Sequence, residues 1–362
     1  MPQGFQRITG AMTLVASLLM APAALASDTP FPRVTGSISV EIQNDLTFKA
    51  DDRDLEQNEL GTLTEPSFSF WLTEGFSIST GLVLEAVTDP APREDRFFEG
   101  HGFYVEVLTA SYESDRFSLY AGKFGPNFSL AFDAAAGVYG TDMSEDDIEL
   151  AEFVGFGGSY VLGETGLGRL DLSASVFTAD RSILSNSVFK ERGRVRLADG
   201  GPGNTSGLES FVIGLDATDV PGADGLRYHL AYAQLATETG PAEKRLVASV
   251  EWALALGNGV TLTPLVEYVR FWHAGGDVEE NRHYITASIL AERGPWNLAL
   301  SFTGRRTNHA LFGQHWFDHQ LQVSAGYAFE NGLSVDLGYK TTREMGEQAH
   351  TLGLLLAWGH DF

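Results

Sequence analysis

The residues of this chain best placed to do chemistry are the carboxylates crowded into the segment TDMSEDDIE. They belong to Asp142, Glu145, Asp146, Asp147 and Glu149, with Asp133 before them, and residues 125–152 around them include no basic residue. A concentrated negative field of this kind selects cations. The same acids could instead form the first turn of a solvated helix, where the helix dipole favours them. Calcium binding is a weaker third interpretation, because the D-x-D-x-D-G spacing of a calcium loop is missing.

Enzymatic chemistry has little support in the sequence. No G-x-S-x-G, H-E-x-x-H or C-x-x-C motif occurs, so neither an activated nucleophile nor a recognisable metal motif is indicated. His309, His315 and His319 are the only clustered histidines, and their spacing is not that of a zinc motif. We therefore predict that the chain is not an enzyme and has no catalytic residue, no metal site and no cofactor.

Composition excludes several classes of protein. The chain has 362 residues, with 48 Asp and Glu against 24 Lys and Arg, which gives a net charge of -24. Binding to nucleic acid is disfavoured, because neutralising phosphates requires clustered bases. The absence of cysteine excludes a disulfide-stapled domain. The 24 Phe, 11 Tyr and 6 Trp argue against disorder.

The amino-terminus carries an export signal. Residues 11–26 form a short apolar run behind Arg7 and end in the small-x-small pattern Ala24-Leu25-Ala26. This order predicts a signal peptide over residues 1–26, cleaved near Ala26. The mature chain would then be one domain, residues 27–362.

Beyond that point the hydrophobic pattern has period two, which predicts β-strands. Sixteen candidate strands are predicted, at residues 34–48, 67–72, 76–88, 103–112, 117–124, 154–162, 169–178, 211–217, 226–235, 245–256, 260–272, 283–291, 296–305, 317–328, 333–340 and 351–362. Short Gly- and Asp-rich turns alternate with longer loops between them. An even number of strands with alternating turns and loops suits an up-and-down antiparallel sheet.

The distribution of aromatic residues favours a membrane barrel over a sandwich. One face of the strands is apolar, whereas the opposite face carries Ser, Thr, Gly and charge. All six tryptophans lie near strand ends, as in the two interfacial belts of a transmembrane barrel. Four lie near the turn-side ends and two near the loop-side ends: Trp71, Trp252, Trp296 and Trp358, and then Trp272 and Trp316. We predict an all-β, transmembrane antiparallel β-barrel of about 16 strands.

The last strand adds a family resemblance. Phe362 ends the chain, with Trp358 and Leu356 on the same face, and this resembles the carboxy-terminal signature of bacterial outer-membrane proteins. With the predicted signal peptide and strand number, the chain resembles a sixteen-stranded general porin of the Gram-negative outer membrane. The resemblance implies recognition of Trp358 and Phe362 by the barrel-assembly machinery, contact with outer-membrane lipid, and an association of three copies as an option. The acidic loops could also bridge to lipopolysaccharide through divalent cations.

The resemblance also implies how the pore is narrowed. In such porins the third loop, here residues 125–152, folds into the lumen and faces bases on the opposite wall. Parity selects Arg227, Arg245, Arg305 and Lys340 as those bases, although each could equally pair with an acid on a neighbouring strand. At about sixteen strands the interior is wide enough to hold water.

The predicted function is therefore a water-filled channel for passive diffusion of ions and small hydrophilic solutes, with a mild cation preference. Two alternatives stay open: a substrate-specific channel for a sugar or an organic anion, and a non-conducting barrel with an adhesive or enzymatic role.

Overall fold

Nearly all of the described chain is β-strand. The computed structural model describes residues 30–311 and 313–362, and the predicted signal peptide, residues 1–26, lies outside that part of the chain. Among the described residues, no helix is both long and apolar enough to cross a membrane. One sheet of nineteen hydrogen-bonded segments accounts for the architecture. Arg96–Phe97 and Val188–Phe189 are two-residue segments in loops, and one long strand is interrupted at Ala253, so sixteen strands remain.

The sixteen strands are numbered β1 to β16 in chain order. They are β1 Arg33–Ala50, β2 Asn58–Trp71, β3 Phe76–Ala86, β4 His101–Glu113, β5 Phe117–Phe124, β6 Phe153–Thr165, β7 Gly168–Ala179, β8 Ser210–Thr218, β9 Leu226–Leu235, β10 Glu243–Trp252 with Leu254–Gly257, β11 Val260–Trp272, β12 Glu280–Arg293, β13 Trp296–His309, β14 Gln314–Ala328, β15 Leu333–Glu344 and β16 Glu347–Asp361.

The sheet closes on itself. Each strand pairs antiparallel with the next, and β16 returns to pair with β1 from Ser37 opposite Asp361 to Ala50 opposite Ala349. The predicted barrel of about sixteen antiparallel strands is therefore confirmed. Closure satisfies the backbone groups of the first and last strands, which would otherwise be open edges in lipid.

Side-chain alternation follows the predicted faces. On β1, Glu41 and Gln43 point inward and are buried, whereas Leu46 points outward and is exposed. On β16, Thr351 and Leu355 lie on the inner face, and the outward leucines and Trp358 are exposed on the apolar wall. Because the side-chain period is two, one polar and one apolar surface follow from the same strands.

Several strands are longer than predicted, mainly at the loop side; β6 and β12 also extend at the turn side, to Thr165 and Arg293. Strand β2 begins at Asn58 and not at residue 67 as predicted, and β14 and β16 begin at Gln314 and Glu347. The loop that joins β15 to β16 is consequently residues 345–346 alone. Above a membrane both faces of a strand are wet, so the ladder of backbone hydrogen bonds continues while the apolar alternation that signals a strand disappears.

The third loop, residues 125–152, carries the only helical turns described between β5 and β6. They are α1 (Ala131–Ala134), a 3₁₀ turn (Asp142–Ser144) and α2 (Glu145–Ile148). Phe128, Ile148 and Leu150 of this loop join one buried apolar cluster with the wall residues Phe177 and Phe271. Apolar burial against the wall therefore places the loop inside the barrel.

Candidate functional site

The first half of the third loop is held by an acid on the opposite wall. The Glu267 carboxylate of β11 accepts hydrogen bonds from the backbone N–H groups of Leu130 and Ala131, both at 2.9 Å. It also accepts from the hydroxyls of Ser129 at 2.8 Å and Ser249 at 2.7 Å. Four donors thus converge on one buried carboxylate. Their hydrogen bonds replace the hydration that the buried charge would otherwise lose without compensation.

The middle of the loop lies along β14 and reaches β1. The Gln322 side-chain amide donates to the carbonyl of Ala136 at 2.5 Å and accepts from the backbone N–H of Tyr139 at 3.2 Å. Gly137 lies between these two contacts at a φ of 103°, and a Cβ there would collide with Gln322. The Tyr139 hydroxyl donates to Asp45 at 2.8 Å, which joins the loop to the first strand.

Two of the predicted constriction acids are bonded directly to predicted wall bases. Asp142 lies 2.5 Å from Lys340 of β15. Asp147 lies 2.5 Å from Arg282 and 3.2 Å from Arg305, and it accepts a hydrogen bond from Tyr284 at 2.5 Å. These acids and bases therefore form contacts that fix the loop to the wall.

The charge of Asp147 follows from these contacts. Burial alone would raise the pKa of its carboxyl, but Arg282, the Tyr284 hydroxyl and Arg305 outweigh that effect and hold the pKa below its usual value. The carboxylate is consequently ionised at neutral pH and neutralised by the two guanidinium groups beside it.

The other two predicted wall bases are also paired. Arg227 forms a two-pronged contact with Glu251 across β9 and β10, at 2.7 and 2.9 Å. Arg245 is buried, lies 2.6 Å from Glu243, and donates to the backbone carbonyl of Ile148 at 3.1 Å. Arg245 thus supports the end of the third loop.

The remaining predicted acids differ in their surroundings. Glu145 is buried, Asp146 is exposed, and Glu149 and Asp133 are half-buried. Asp133 and Glu149 line a cavity of about 230 Å³ between the loop and strands β4 to β9. Burial, followed by the nearby Glu149, raises the pKa of Asp133 to about 7.

A second cavity, of about 370 Å³, lies on the other side of the same loop. Asp133 and Arg227 line both cavities, so they lie where the two meet. Each cavity presents five carboxylates: Glu106, Asp133, Glu149, Asp171 and Asp216 in the first, and Glu41, Asp133, Glu251, Glu292 and Asp336 in the second. Arg227 is the one Lys or Arg that lines either cavity in the described part of the chain, and Glu251 already neutralises it. Both cavities are therefore lined by more acids than bases.

Comparison with known proteins bears on the fold. No protein-family model matches this chain, and no curated protein matches it in sequence. Solved structures do match it. The outer membrane channel DcaP of Acinetobacter baumannii has a TM-score of 0.57 and 9% identity, over 91% of this chain and 96% of that one. OccK1 (OpdK) of Pseudomonas aeruginosa has a TM-score of 0.54 and 12% identity, over 91% and 99% of the two chains. The fold is that of an outer-membrane porin.

Identities this low show the fold alone. The predicted fold class is confirmed, and the Gram-negative outer membrane, predicted as its location, is where barrels of this fold lie. In such barrels the short turns face the periplasm and the longer loops face outward. The start of β1 at Arg33 and the terminal residue Phe362 are both on the turn side of this barrel.

The carboxy-terminus is part of the closed wall of the barrel. Phe362 exchanges two backbone hydrogen bonds with Gly36, both at 2.9 Å. Its ring lies 5.9 Å from that of Phe68 on the outer surface, and Trp358 faces outward on the same strand. A Cβ on Gly36 would collide with the Phe362 ring, so glycine makes room for the terminal aromatic residue. Recognition of Trp358 and Phe362 by assembly machinery stays a prediction.

The three clustered histidines are not brought together. His309 lies near Asp277 and Glu280, and their potential ligand atoms fall within 4.8 Å of one another. His315 contacts Asn308 at 2.8 Å, and His319 stacks on Phe317 on the outer face.

Sequence reasoning did not identify the residues that hold the loop. The sequence predicted no contact with the loop for Asp45, Glu267, Arg282, Tyr284 or Gln322. No local pattern marks such a contact, because the two partners are 94 or more residues apart in the chain. The pore-lining roles predicted for the acids and bases stay predictions.

Proposed function

We propose that this porin is a channel through which ions and small hydrophilic solutes diffuse passively, with a preference for cations. The supporting observation is the acidity of the two cavities that meet at Asp133, together with the pairing of the wall bases. DcaP is described as an outer membrane channel, which supports transport as the role of the shared fold.

The cation preference rests on which charged side chains line the cavities. Arg245, Arg305 and Lys340 each have side chains less than a fifth exposed and each contact a carboxylate. A base that is paired and shielded adds little positive potential to the water beside it. Asp133 and Glu149 border the cavity of about 230 Å³, so their negative potential acts on passing ions.

The other two candidate functions have less support. A channel specific for organic anions would need unpaired bases along the lumen, and the described lumen bases are paired with acids. A non-conducting barrel would need a filled interior, whereas cavities lie on both sides of the loop at Asp133 and Arg227. Three aromatic residues, Tyr120, Phe128 and Phe132, line the cavity of about 230 Å³, but none lines the cavity of about 370 Å³, so the described residues give a sugar channel less support.

The finer assignments belong to the same proposal. Residues 1–26 would be a signal peptide removed near Ala26, and Trp358 and Phe362 would be recognised by the barrel-assembly machinery. Outer-membrane lipid and lipopolysaccharide would surround the barrel, the latter also bridged to acidic loops by divalent cations, and three copies could associate. Light scattering of the detergent-solubilised protein would measure the number of copies.

Selectivity tests the proposal directly. The refolded protein is inserted in a planar bilayer, and the reversal potential is recorded under a KCl gradient at pH 8, where Asp133 is ionised. The wild type should prefer K⁺. The double variant Asp133→Asn/Glu149→Gln should have a lower ratio of cation to anion permeability. A carboxylate about 6 Å from an ion contributes an electrostatic energy of roughly 0.7 kcal/mol in water. The effect has opposite signs for cation and anion, so the ratio should fall by about tenfold per carboxylate before salt screening.

The matched control removes the same charge far from the cavities. Glu74→Gln with Asp115→Asn changes two exposed acids in the turns that follow β2 and β4. This control should keep the wild-type reversal potential. A wild type that prefers Cl⁻, or equal reversal potentials in the two double variants, would contradict the proposed origin of selectivity, and a refolded barrel without any conductance would contradict the channel itself.

A further inference from the structure

Three potential metal ligands meet at the loop-side end of the barrel wall. They are Asp277, Glu280 and His309, whose ligand atoms all lie within 4.8 Å of one another. We call these three residues the mouth cluster. It is the one group of three or more His, Asp or Glu ligands this close together in the part of the chain that the structure describes. None of the three lines either of the two acidic cavities, so the mouth cluster is separate from them.

Strand register and one turn bring the mouth cluster together. Glu280 begins β12 and His309 ends β13, and the two residues stand directly opposite each other. Directly opposite side chains share one face of the sheet and are about 5 Å apart at Cβ. Asp277 precedes β12 in a turn in which the backbone N–H of Glu280 donates to the Asp277 carbonyl at 3.2 Å. Two strands and a turn therefore present three ligands of different lengths to one point.

The mouth cluster lies on the inner side of the wall, above the third loop. Arg282 follows Glu280 by two residues and contacts Asp147 of that loop, and side chains two residues apart on a strand share a face. Two residues of strand span about 7 Å, so the cluster lies that far toward the loop side from this contact. The side chain of Asp277 is 47% exposed, so an ion can reach the cluster from the water outside.

Contacts with residues outside the cluster orient both carboxylates. The backbone N–H of Glu279 donates to Oδ1 of Asp277 at 2.8 Å, and the Arg282 guanidinium donates to Oε1 of Glu280 at 2.6 Å. The second oxygen of Asp277, Oδ2, lies 3.3 Å from Nε2 of His309. The second oxygen of Glu280, Oε2, has no hydrogen bond or ion pair within the described residues. Outer contacts of this kind fix the direction of metal ligands, and each carboxylate keeps one oxygen for the ion.

The distances and the ligand types suit a divalent transition metal. Zn²⁺ bonded to nitrogen and oxygen at about 2.0–2.1 Å in a tetrahedron sets its ligand atoms roughly 3.3 Å apart. The 3.3 Å between Nε2 of His309 and Oδ2 of Asp277 matches this spacing. The Glu280 oxygen needs to approach from at most 4.8 Å, which a rotation of this half-buried side chain allows. Calcium and magnesium prefer oxygen ligands, whereas imidazole suits zinc and its neighbours in the transition series.

We propose that the mouth cluster binds one divalent transition-metal ion of the zinc type through Asp277, Glu280 and His309. Two carboxylates held this close repel each other, and a divalent cation between them offsets that repulsion. Three protein ligands leave at least one position for water, so the ion exchanges with the solution. The sequence predicted no metal site, because its only clustered histidines lack the spacing of a zinc motif. The fold instead brings one of those histidines to two acids.

Metal titration tests the inference. The full-length protein is produced without a histidine tag, refolded in detergent, freed of metal with a chelating resin and titrated with zinc chloride by isothermal calorimetry. We expect one strongly bound Zn²⁺ per chain. Asp277→Asn with His309→Gln should weaken that binding by about tenfold or more. Glu279→Gln with His315→Gln removes a neighbouring acid and histidine that are outside the cluster, and this control should bind Zn²⁺ as the wild type does.

Three outcomes would overturn the proposal. A wild type that binds no Zn²⁺ would leave the 3.3 Å contact as an ion pair between His309 and Asp277. Equal affinities in the wild type and the Asp277/His309 variant would place the ion elsewhere, and displacement of Zn²⁺ by an equal concentration of calcium chloride would exclude a transition-metal site. If the double variant does not fold, Asp277→Asn alone changes an exposed position and should also weaken binding. The titration needs no membrane, so its result is independent of the conductance that tests the proposed channel.

Discussion

Replacement of Lys340 by methionine is the sharpest test of how the third loop is held. The Lys340 ammonium lies 2.5 Å from Asp142 and 4.3 Å from the Tyr139 ring, and Tyr139 in turn donates to Asp45 at 2.8 Å. One cation therefore joins the middle of the loop to β15 and β1. Methionine keeps much of the side-chain length and removes the ammonium group, with its charge and its N–H donors.

The expected magnitude follows from the burial of the pair. The side chains of Lys340 and Asp142 are 11% and 10% exposed. At 2.5 Å and an effective dielectric constant near 20, the gross attraction is about 6 to 7 kcal/mol. Desolvation cancels part of it, and removing one partner of such a pair costs about 3–5 kcal/mol. That loss would shift the equilibrium between docked and released loop by roughly 10²- to 10⁴-fold.

Single-channel recording and urea unfolding measure the release of the loop. Glu267 and Asp147 still hold the two ends of the loop, so we expect the segment around Asp142 to detach and the barrel to remain. Lys340→Met should therefore raise the conductance, add rapid current fluctuation and lower the urea midpoint. Lys190→Met, which removes an exposed loop lysine, is the matched control and should change none of these.

A second variant tests whether the cost comes from the carboxylate left without its cation. Combining Lys340→Met with Asp142→Asn removes the carboxylate that the ammonium contacts directly, while Asp45 keeps its hydrogen bonds from Gln43 and Tyr139, so the double variant should recover at least half of the lost stability. Wild-type conductance, current noise and urea midpoint in Lys340→Met would show that the pair does not hold the loop. A double variant as unstable as the single one would show that the cost does not come from a stranded carboxylate.

Three further predictions follow from single contacts. Because the pKa of Asp133 is raised to about 7, its carboxyl is mostly protonated at pH 6 and ionised at pH 8; reversal potentials should show a stronger cation preference at pH 8, and Asp133→Asn should remove most of that change. Glu267→Gln removes the charge that accepts from two backbone N–H groups and two hydroxyls, so docking of the loop should weaken by about 1–3 kcal/mol, seen as increased current noise, whereas unchanged noise would contradict that role. Gly36→Ala should hinder closure of the barrel, because its Cβ collides with the carbonyl of Ser67 and the Phe362 ring; electrophoresis of heated and unheated samples would detect the loss of closed barrel, and a normal yield would contradict the expected clash.

The sequence predicted the parts of the strands that lie within the apolar layer of the membrane. It did not predict their extensions beyond the membrane at the loop side. In β1 the alternation of Glu41 and Gln43 with apolar neighbours corresponds to the observed inner and outer faces. The start of β2 at Asn58 was missed, because above the membrane both faces contact water and the pattern ends before the hydrogen bonding does.

In the candidate site, the sequence predicted which bases face the lumen but not which acids they contact. Parity placed Arg245, Arg305 and Lys340 on the lumen side, but it could not tell whether their partners lay on a neighbouring strand or on the loop. Arg245 pairs within its own strand with Glu243, and Arg305 contacts both the loop acid Asp147 and Asp318 of the next strand. Which of these contacts forms depends on how far the loop reaches across the lumen, a distance that the sequence does not specify.

The local sequence pattern was sufficient to predict the type of fold. The sequence shows period-two alternation, turn residues and an apolar final strand. These features require a sheet with one polar and one apolar face, and sixteen such strands suit a wide closed barrel. Tertiary structure decided where the charges lie: closure of the barrel and insertion of the loop pair Asp142 and Asp147 with bases of the wall and place Asp133 and Glu149 beside the cavity. The reason is that electrostatic energy depends on separations of a few ångströms between residues that are far apart in the chain, and only the folded barrel sets those separations.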